Sequence, residues 1–348
     1  MLTCPVCGDA VAAEDAFCEH CGHALRGEGA PGAGGVAAAP TVPDTAGSQP
    51  PCARCGARVS GGACTECGLR RRTGDHSELR LGTGAAGVSD RGLRHERNED
   101  AMALRAVDLP GAGDRAAGSA TAAVVCDGVS SSPRPDSAAA AAVEAGATAL
   151  AASLESGQGT AEALSAALRR AAVTVAALAE APGQAPACTF VGAAVPASGG
   201  PLGVAWVGDS RAYWVSEGRP AAPSALLTRD DSWSEAMVAM HVLSPEEAAV
   251  SPHAHTLTAW LGADYSGAAG RVAAFDPGGA GRLLLCSDGL WNHLPEPAEL
   301  AGLVRGAGAD PLAAARACVR FALERGGRDN VTAVVIDVPG PRTGEGVR

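Results

Sequence analysis

The chain has 348 residues and a net charge of −11, is 47% hydrophobic but only 3% aromatic, and carries 27 basic residues, every one an arginine. The acidic balance argues against nucleic acid as the main partner, because binding a phosphate backbone needs cationic excess. The absence of lysine removes P-loop nucleotide hydrolases, protein kinases and Schiff-base enzymes, each of which needs an amine at a defined place.

In chain order, the first feature is a set of four Cys-x2-Cys pairs: Cys4/Cys7, Cys18/Cys21, Cys52/Cys55 and Cys64/Cys67. Each pair is followed at once by glycine (Gly8, Gly22, Gly56, Gly68), which lets the backbone turn tightly beneath two thiolates aimed at one point. Two such turns complete the tetrahedral four-sulfur site that Zn²⁺ accepts, so the spacing predicts two structural zinc sites. Metal binding would supply the folding free energy of such small modules, on the order of 10–16 kcal/mol per site. The opening Met1-Leu2-Thr3-Cys4 shows no basic region followed by an apolar one. A reducing, cytoplasmic setting without disulfides is therefore expected. The expected division is a first ribbon at 1–25, a Gly/Ala/Pro-rich linker at 26–51, a second ribbon at 52–70 and a connector at 71–85. A large domain over 86–340 and a tail at 341–348 complete it. Within the connector, Gly82-x-Gly84-x-x-Gly87 matches a dinucleotide fingerprint, but no apolar strand precedes it and a charged run follows where a helix should begin.

Beyond residue 100, strands are predicted at 119–126, 189–195, 202–207, 211–216, 282–286 and 331–338, with a strand-like Ala101 to Val107. Helices are predicted at 136–154, 160–181, 296–305 and 310–325. No apolar run reaches membrane-spanning length, since the alanine-rich stretch Ala138 to Ala152 is interrupted by Glu144. Hairpin-linked strands with helices grouped apart predict an α+β fold of packed antiparallel sheets flanked by helices.

Acidic residues recur where these strands end. Val124-Val125-Cys126 runs into Asp127-Gly128, Trp206-Val207 into Gly208-Asp209, and Leu285-Cys286-Ser287 into Asp288-Gly289. Asp329-Asn330 directly precedes Val331, and Glu99-Asp100 directly precedes Ala101. One Asp-Gly is an ordinary turn. Several carboxylates converging on one edge repel each other unless divalent cations neutralise them, and hard oxygen ligands select Mg²⁺ or Mn²⁺ over zinc.

Taken in order, Asp90-x-Gly92, Asn98-Glu99-Asp100, Asp127-Gly128, Gly208-Asp209-Ser210-Arg211, Thr228-x-Asp230-Asp231-Ser232, Trp260-Leu261-Gly262, Ser287-Asp288-Gly289-Leu290 and Asp329-Asn330 resemble the type 2C metal-dependent protein serine/threonine phosphatases. The resemblance spans roughly residues 88–338. It implies a four-layer αββα sandwich of two antiparallel sheets, preceded here by the two ribbons. It also implies hydrolysis of phosphoserine and phosphothreonine by a water activated between two metals. Asp127 would bridge two Mn²⁺ or Mg²⁺ ions, the Gly128 carbonyl would bind one, and Asp288 and Asp329 would complete the first. Glu99 and Asp100 would hold metal-bound waters, and Asp209 would serve a third, weaker ion. Phosphoproteins made by bacterial serine/threonine kinases would be the substrates. The ribbons resemble those attached to bacterial regulatory proteins, which implies a protein partner rather than nucleic acid or membrane.

Two positions depart from the family pattern. Where the family places a phosphate-gripping arginine the chain has His95, flanked by Arg94 and Arg97, and a histidine cannot bind an oxyanion bidentately. Asp-Gly-x-Gly reads Asp127-Gly128-Val129-Ser130. A cysteine-based phosphatase fails, because the only Cys-x5-Arg matches, Cys52/Arg58 and Cys64/Arg70, use ribbon cysteines. Cys126, Cys188, Cys286 and Cys318 read as small buried hydrophobes. The competing expectation is a catalytically weak or dead phosphatase-like scaffold that binds a partner through its ribbons.

Overall fold

Ala122-Ala123-Val124-Val125-Cys126 has no polar residue to turn towards water, so a strand made from it must be covered on both faces. The computed structural model describes residues 74–340 except 112–116, 182, 219–220 and 265–269, and before residue 74 only 2–3, 10–11, 52, 57–60 and 63–66. It provides both covers. In the N-terminal stretch two short hairpins are described, β1 (Leu2–Thr3) with β2 (Ala10–Val11) and β3 (Val59–Ser60) with β4 (Ala63–Cys64). Cys52 and Cys64 are buried there, while Cys4, Cys7, Cys18, Cys21, Cys55 and Cys67, and so both zinc-site expectations, lie outside the described residues.

The large domain runs β5 (His76–Leu81), β6 (Ala85–Asp90), β7 (Ala101–Leu109), β8 (Gly118–Cys126), α1 (Pro135–Glu155), α2 (Thr160–Ala176), β9 (Phe190–Pro196), β10 (Leu202–Val207) and β11 (Arg211–Ser216). It continues through β12 (Ala225–Leu226), α3 (Trp233–Ala239), α4 (Pro245–Ala249), β13 (Arg271–Phe275), β14 (Gly281–Cys286), α5 (Asp288–Trp291), α6 (Pro297–Gly306), α7 (Pro311–Glu324) and β15 (Val331–Val338). Two antiparallel sheets result, in the orders β13-β10-β9-β8-β7 and β12-β11-β14-β15-β6-β5.

Strand alternation assigns each side chain to a layer. On β8, Ala122, Val124 and Cys126 meet the α1/α2 layer, while Ala123 and Val125 meet the opposing sheet. On β14, Leu284 and Cys286 meet α6 and α7, and Leu283 and Leu285 face inward against Val191 and Trp206. Three apolar cores therefore separate four layers, α over β over β over α. With so few aromatic residues the outer core depends on close approach: Ala138, Ala142, Ala147, Ala163, Ala167 and Ala171 are all fully buried between α1, α2 and their sheet.

The structure departs from the sequence expectations at several points, among them the unpredicted strands β6, β12 and β13 and the short helices α3, α4 and α5. The supposed connector contains β5, which pairs with β6 from His76↔Asp90 to Leu81↔Ala85, so the sheet begins ten residues before residue 86. Its alternation of charged and apolar residues is that of an edge strand, and the Gly82–Gly84 segment is the hairpin turn between two strands rather than a strand-to-helix phosphate loop. The second helix stops at Ala176, short of 181; the carbonyl of Leu178, just past its end, accepts from the Arg134 guanidinium at 2.7 Å. By length and composition α1 is apolar enough to cross a membrane, yet its buried stripe (Ala138, Ala142, Leu150) packs on the sheet.

Candidate metal centre

The strand registers bring the acids together. Ala101 opposes Cys126, Phe190 opposes Val207, Arg211 opposes Cys286 and Val331 opposes Asp90. The start of β7, the end of β8, the β10–β11 turn, the end of β14 and the start of β15 thus share one edge of the two sheets. Asp100, Asp127, Asp209, Asp288 and Asp329 sit at those five points. They are distant in sequence and adjacent in space.

Asp100 is buried, and its Oδ2 accepts from Ser287 Oγ at 2.7 Å and Thr332 Oγ1 at 2.8 Å. Its Oδ1 has no hydrogen-bond donor among the described residues, and neither has Asp288 Oδ1; the side chain that reaches both carboxylates is another acid, Asp127. Burial pushes the Asp100 carboxyl up to about 7, against the pull of those two hydroxyls, with Asp329 adding to the rise. Asp127 rises well above the ordinary carboxylate range through burial and then through Asp100, Asp288, Asp329 and Asp209. Asp288 rises likewise, through burial, Asp329, Asp209 and Asp100. Asp209 reaches about 7 through burial and Asp230, with Arg211 opposing.

These observations bear on whether a divalent cation fits. Buried, unpartnered carboxylate oxygens crowded by like charge are stabilised by a cation, and an all-oxygen donor set matches Mg²⁺ or Mn²⁺. Among the described residues no three His, Cys, Asp or Glu side chains are already drawn together as a ready ligand set. The fit therefore rests on the unpartnered buried oxygens and on the all-oxygen donor chemistry. The residues present fit.

The loop before β7 is shaped from two sides. Gly92 has φ 75°, and a Cβ there would collide with the Asp329 carbonyl; a Cβ on Gly289 would collide with the carbonyl of Asn330. The 329–330 turn thus lies between two glycines that permit its approach. Asn330 clamps the loop: its Oδ1 accepts from Glu99 N at 2.7 Å, and its Nδ2 donates to the carbonyls of Arg91 at 2.8 Å and Arg97 at 3.0 Å. Glu99 Oε2 accepts from Ser130 Oγ at 2.7 Å, so the serine that departs from the family pattern holds one of the expected site acids. Gly128 N donates to the Glu99 carbonyl at 3.1 Å, and the Asp127 backbone exchanges hydrogen bonds with Thr189.

His95 is turned inward, against Asp329. It is buried, with Nε2 3.0 Å from Asp329 Oδ1, an ion-pair distance without hydrogen-bond alignment. Burial would lower its pKa, but Asp329, Glu99 and Asp100 outweigh that and raise it. Arg94 and Arg97 are exposed, and Arg97 lies 3.6 Å from Asp136 at the start of α1.

Asp209 is held through its backbone, whose carbonyl accepts from Trp291 Nε1 at 2.9 Å. The Arg211 guanidinium stacks 3.6 Å over the Trp291 ring and grips Asp230, with Nη2 2.7 Å from Oδ2. Sequence reading assigned no role to Ser287, Thr332, Asn330 or Trp291. A signal existed for two of them, because Ser287 and Thr332 are hydroxyls set inside otherwise apolar runs; the indole of Trp291 looked like ordinary core. Cys126, Cys188, Cys286 and Cys318 are all fully buried.

The family model described as protein phosphatase 2C matches residues 94–315. The serine/threonine protein phosphatase PstP of Mycobacterium tuberculosis is 31% identical over 143 residues, which are 40% of this chain and 26% of that protein. The match thus spans about a quarter of the length of the curated relative. The structure of the PPM Ser-Thr phosphatase MsPP from Mycobacterium smegmatis, in complex with cacodylate, is 28% identical with a TM-score of 0.55, covering 73% of this chain and 97% of that one. The catalytic domain of PstP, in complex with two manganese ions, has the same fold at 24% identity and a TM-score of 0.52, covering 76% and 99%. With the family model matching residues 94–315, more than half of its length, the chain belongs to the protein phosphatase 2C family of serine/threonine phosphatases.

Proposed function

We propose that this chain hydrolyses phosphoserine and phosphothreonine in proteins, using two Mn²⁺ or Mg²⁺ ions and a weaker third. The observation that carries the reading is the convergence of Asp100, Asp127, Asp209, Asp288 and Asp329 on one edge, with buried oxygens of Asp100 and Asp288 unpartnered. Asp127, the Gly128 carbonyl, Asp288 and Asp329 would hold the two ions, and Asp209 the third. The ions would supply Lewis acidity, lowering the pKa of a water and neutralising charge on the phosphoryl oxygens. The chain's own groups set the stage for that chemistry. Ser287 and Thr332 donate to one Asp100 oxygen and leave the other available, and Ser130 orients Glu99. Asn330 holds the backbone that presents both acids, and Trp291 fixes the turn that carries Asp209. Arg94 and Arg97 are the exposed cations beside this edge that can meet a phosphoprotein.

The N-terminal Cys-x2-Cys pairs belong to the same proposal as two structural zinc sites that dock a protein partner. Substrates of a bacterial serine/threonine kinase, which the family resemblance leads one to expect, and a cytoplasmic setting, which rests on the cysteine usage alone, belong to the proposal as well. One observation favours the scaffold reading: His95, at the position where the family resemblance puts a phosphate-gripping arginine, is buried and paired with Asp329. Turnover of a phosphothreonine peptide by the full chain with added Mn²⁺, abolished in Asp127→Ala, establishes the enzyme. Metal-dependent binding without turnover would establish the scaffold. Elemental analysis giving two zinc per chain, lost on Cys-to-Ser replacement, tests the ribbons.

A further inference from the structure

Arg91 makes four contacts that no catalytic role accounts for. Its N–H donates to the Asp75 carbonyl at 2.7 Å, and its Nε lies 3.1 Å from Asp75 Oδ2, at ion-pair distance though without hydrogen-bond alignment. Its Nη1 donates to the carbonyl of His95. Its own carbonyl accepts from Asn330, the side chain that also holds Glu99. Beside it, His76 Nδ1 lies 2.7 Å from Asp90 Oδ2, and Asp90 Oδ1 accepts from Gly92 N at 2.9 Å. The loop bearing His95, Glu99 and Asp100 is therefore fastened at its root to Asp75 and His76. Those two residues stand where the polypeptide leaving the Cys-rich segment enters the sheet, and they precede the 94–315 stretch shared with the family.

We propose that Arg91 is a positioning residue for the phosphatase reaction, acting as a strut between Asp75 and the His95 carbonyl that holds Glu99 and Asp100 in place. Asp75 is then the point at which the N-terminal extension grips the site. The physical basis is that the side chains of Arg91 and Asp75 are only 18% and 9% exposed, so their pairing is little screened, and a loop supported on both flanks has few alternative conformations. Groups that orient ligands from behind are worth roughly 10–100-fold in metal affinity or activity. The proposal rests on the phosphatase reading above.

The test uses the full chain as wild type, Arg91→Gln, Arg91→Lys, Asp75→Asn and the Asp75→Asn/Arg91→Gln double variant. Each is titrated calorimetrically with Mn²⁺ alone, assayed on a phosphothreonine peptide, and followed by amide hydrogen exchange over residues 92–99. Arg91→Gln is expected to weaken Mn²⁺ binding and lower kcat by roughly 10–100-fold with KM little changed, and to speed exchange in the loop. Arg91→Lys, which keeps a cation near Asp75 without the guanidinium's fork, is expected to fall between Arg91→Gln and wild type, and it carries the test if Arg91→Gln does not fold. The double variant is expected to be little worse than Arg91→Gln, because both changes break one connection. Wild-type Mn²⁺ affinity, kcat and loop exchange in the Arg91 variants, or additive effects in the double variant, would overturn the strut. A wild-type chain that turns over no phosphopeptide overturns the phosphatase reading instead, while loop exchange and Mn²⁺ binding still decide the strut.

Discussion

Two groups of acids in this sandwich behave in opposite ways. On the edge strand β5, Glu78 accepts from Arg316 Nε and Nη2 at 2.8 and 2.6 Å and has His76 3.3 Å away. Burial raises its carboxyl, but His76 and Arg316 overcome that and hold it down at about 2. At the other group, Asp100, Asp127 and Asp288 have no arginine against their carboxylates among the described residues, and burial, with repulsion from neighbouring carboxylates, drives all three up. Both are strand-end or strand-borne acids in the same fold. A carboxylate whose counter-charge is built into the chain is structural. One that is crowded by other carboxylates, with no arginine against it, draws its counter-charge from solution, and that is the mark of a metal centre.

The comparison breaks most sharply with Asp127→Ala. It is expected to lower turnover of a phosphothreonine peptide by on the order of 10³-fold, while raising the melting temperature of metal-free protein because a repelling group is gone. Retained activity, or a lower metal-free melting temperature, would place Asp127 with the structural acids. Next in size is Asp230→Ala, which strands the half-buried Arg211 guanidinium above Trp291. A loss of about 3 kcal/mol in urea unfolding is expected, since removing one partner of a buried pair leaves the other uncompensated. Unchanged stability would show that the pair contributes nothing.

Metal addition sharpens the contrast further. Raising Mn²⁺ to a hundred times its dissociation constant is expected to stabilise the wild-type chain by about 2.7 kcal/mol, read as a rise in melting temperature of several degrees. Asp288→Asn should lose most of that rise and Glu78→Gln none of it. The smallest effect is the pH response of Glu78. Its folded-state pKa is depressed, so its contribution is complete above the unfolded value near 4.5 and disappears as pH falls towards about 2. The stability gap between wild type and Glu78→Gln, about 1 kcal/mol after solvent screening, is expected to hold at pH 6 and to narrow below pH 4.5. A gap that widened on acidification would remove the ion-pair account.

Much of the architecture was legible in the residues. Runs such as Leu283-Leu284-Leu285-Cys286 and Val331 to Val338 carry their own strand signal, because a doubly covered strand needs apolar residues on both faces. β5 was missed because His76-Ser77-Glu78-Leu79-Arg80-Leu81 shows the polar alternation of an edge, which resembles a linker when read locally. The acids could be picked out as a set by their recurrence at strand ends, yet the inward turn of His95 could not, since burial of one ring depends on where Asp329 lands.

By itself the sequence determined the strand and helix periods, the lack of any amine for lysine chemistry, and the oxygen-rich character of the acidic positions. These properties are local, carried by residue type and near-neighbour spacing. Only the tertiary structure decided that Asp100 and Asp288 keep an unpartnered oxygen, that Asn330 and Arg91 hold the acidic loop, and that Trp291 supports the Asp209 turn. Such facts depend on register between strands separated by up to about 240 residues, as in the Val331↔Asp90 pairing, and no local pattern encodes them.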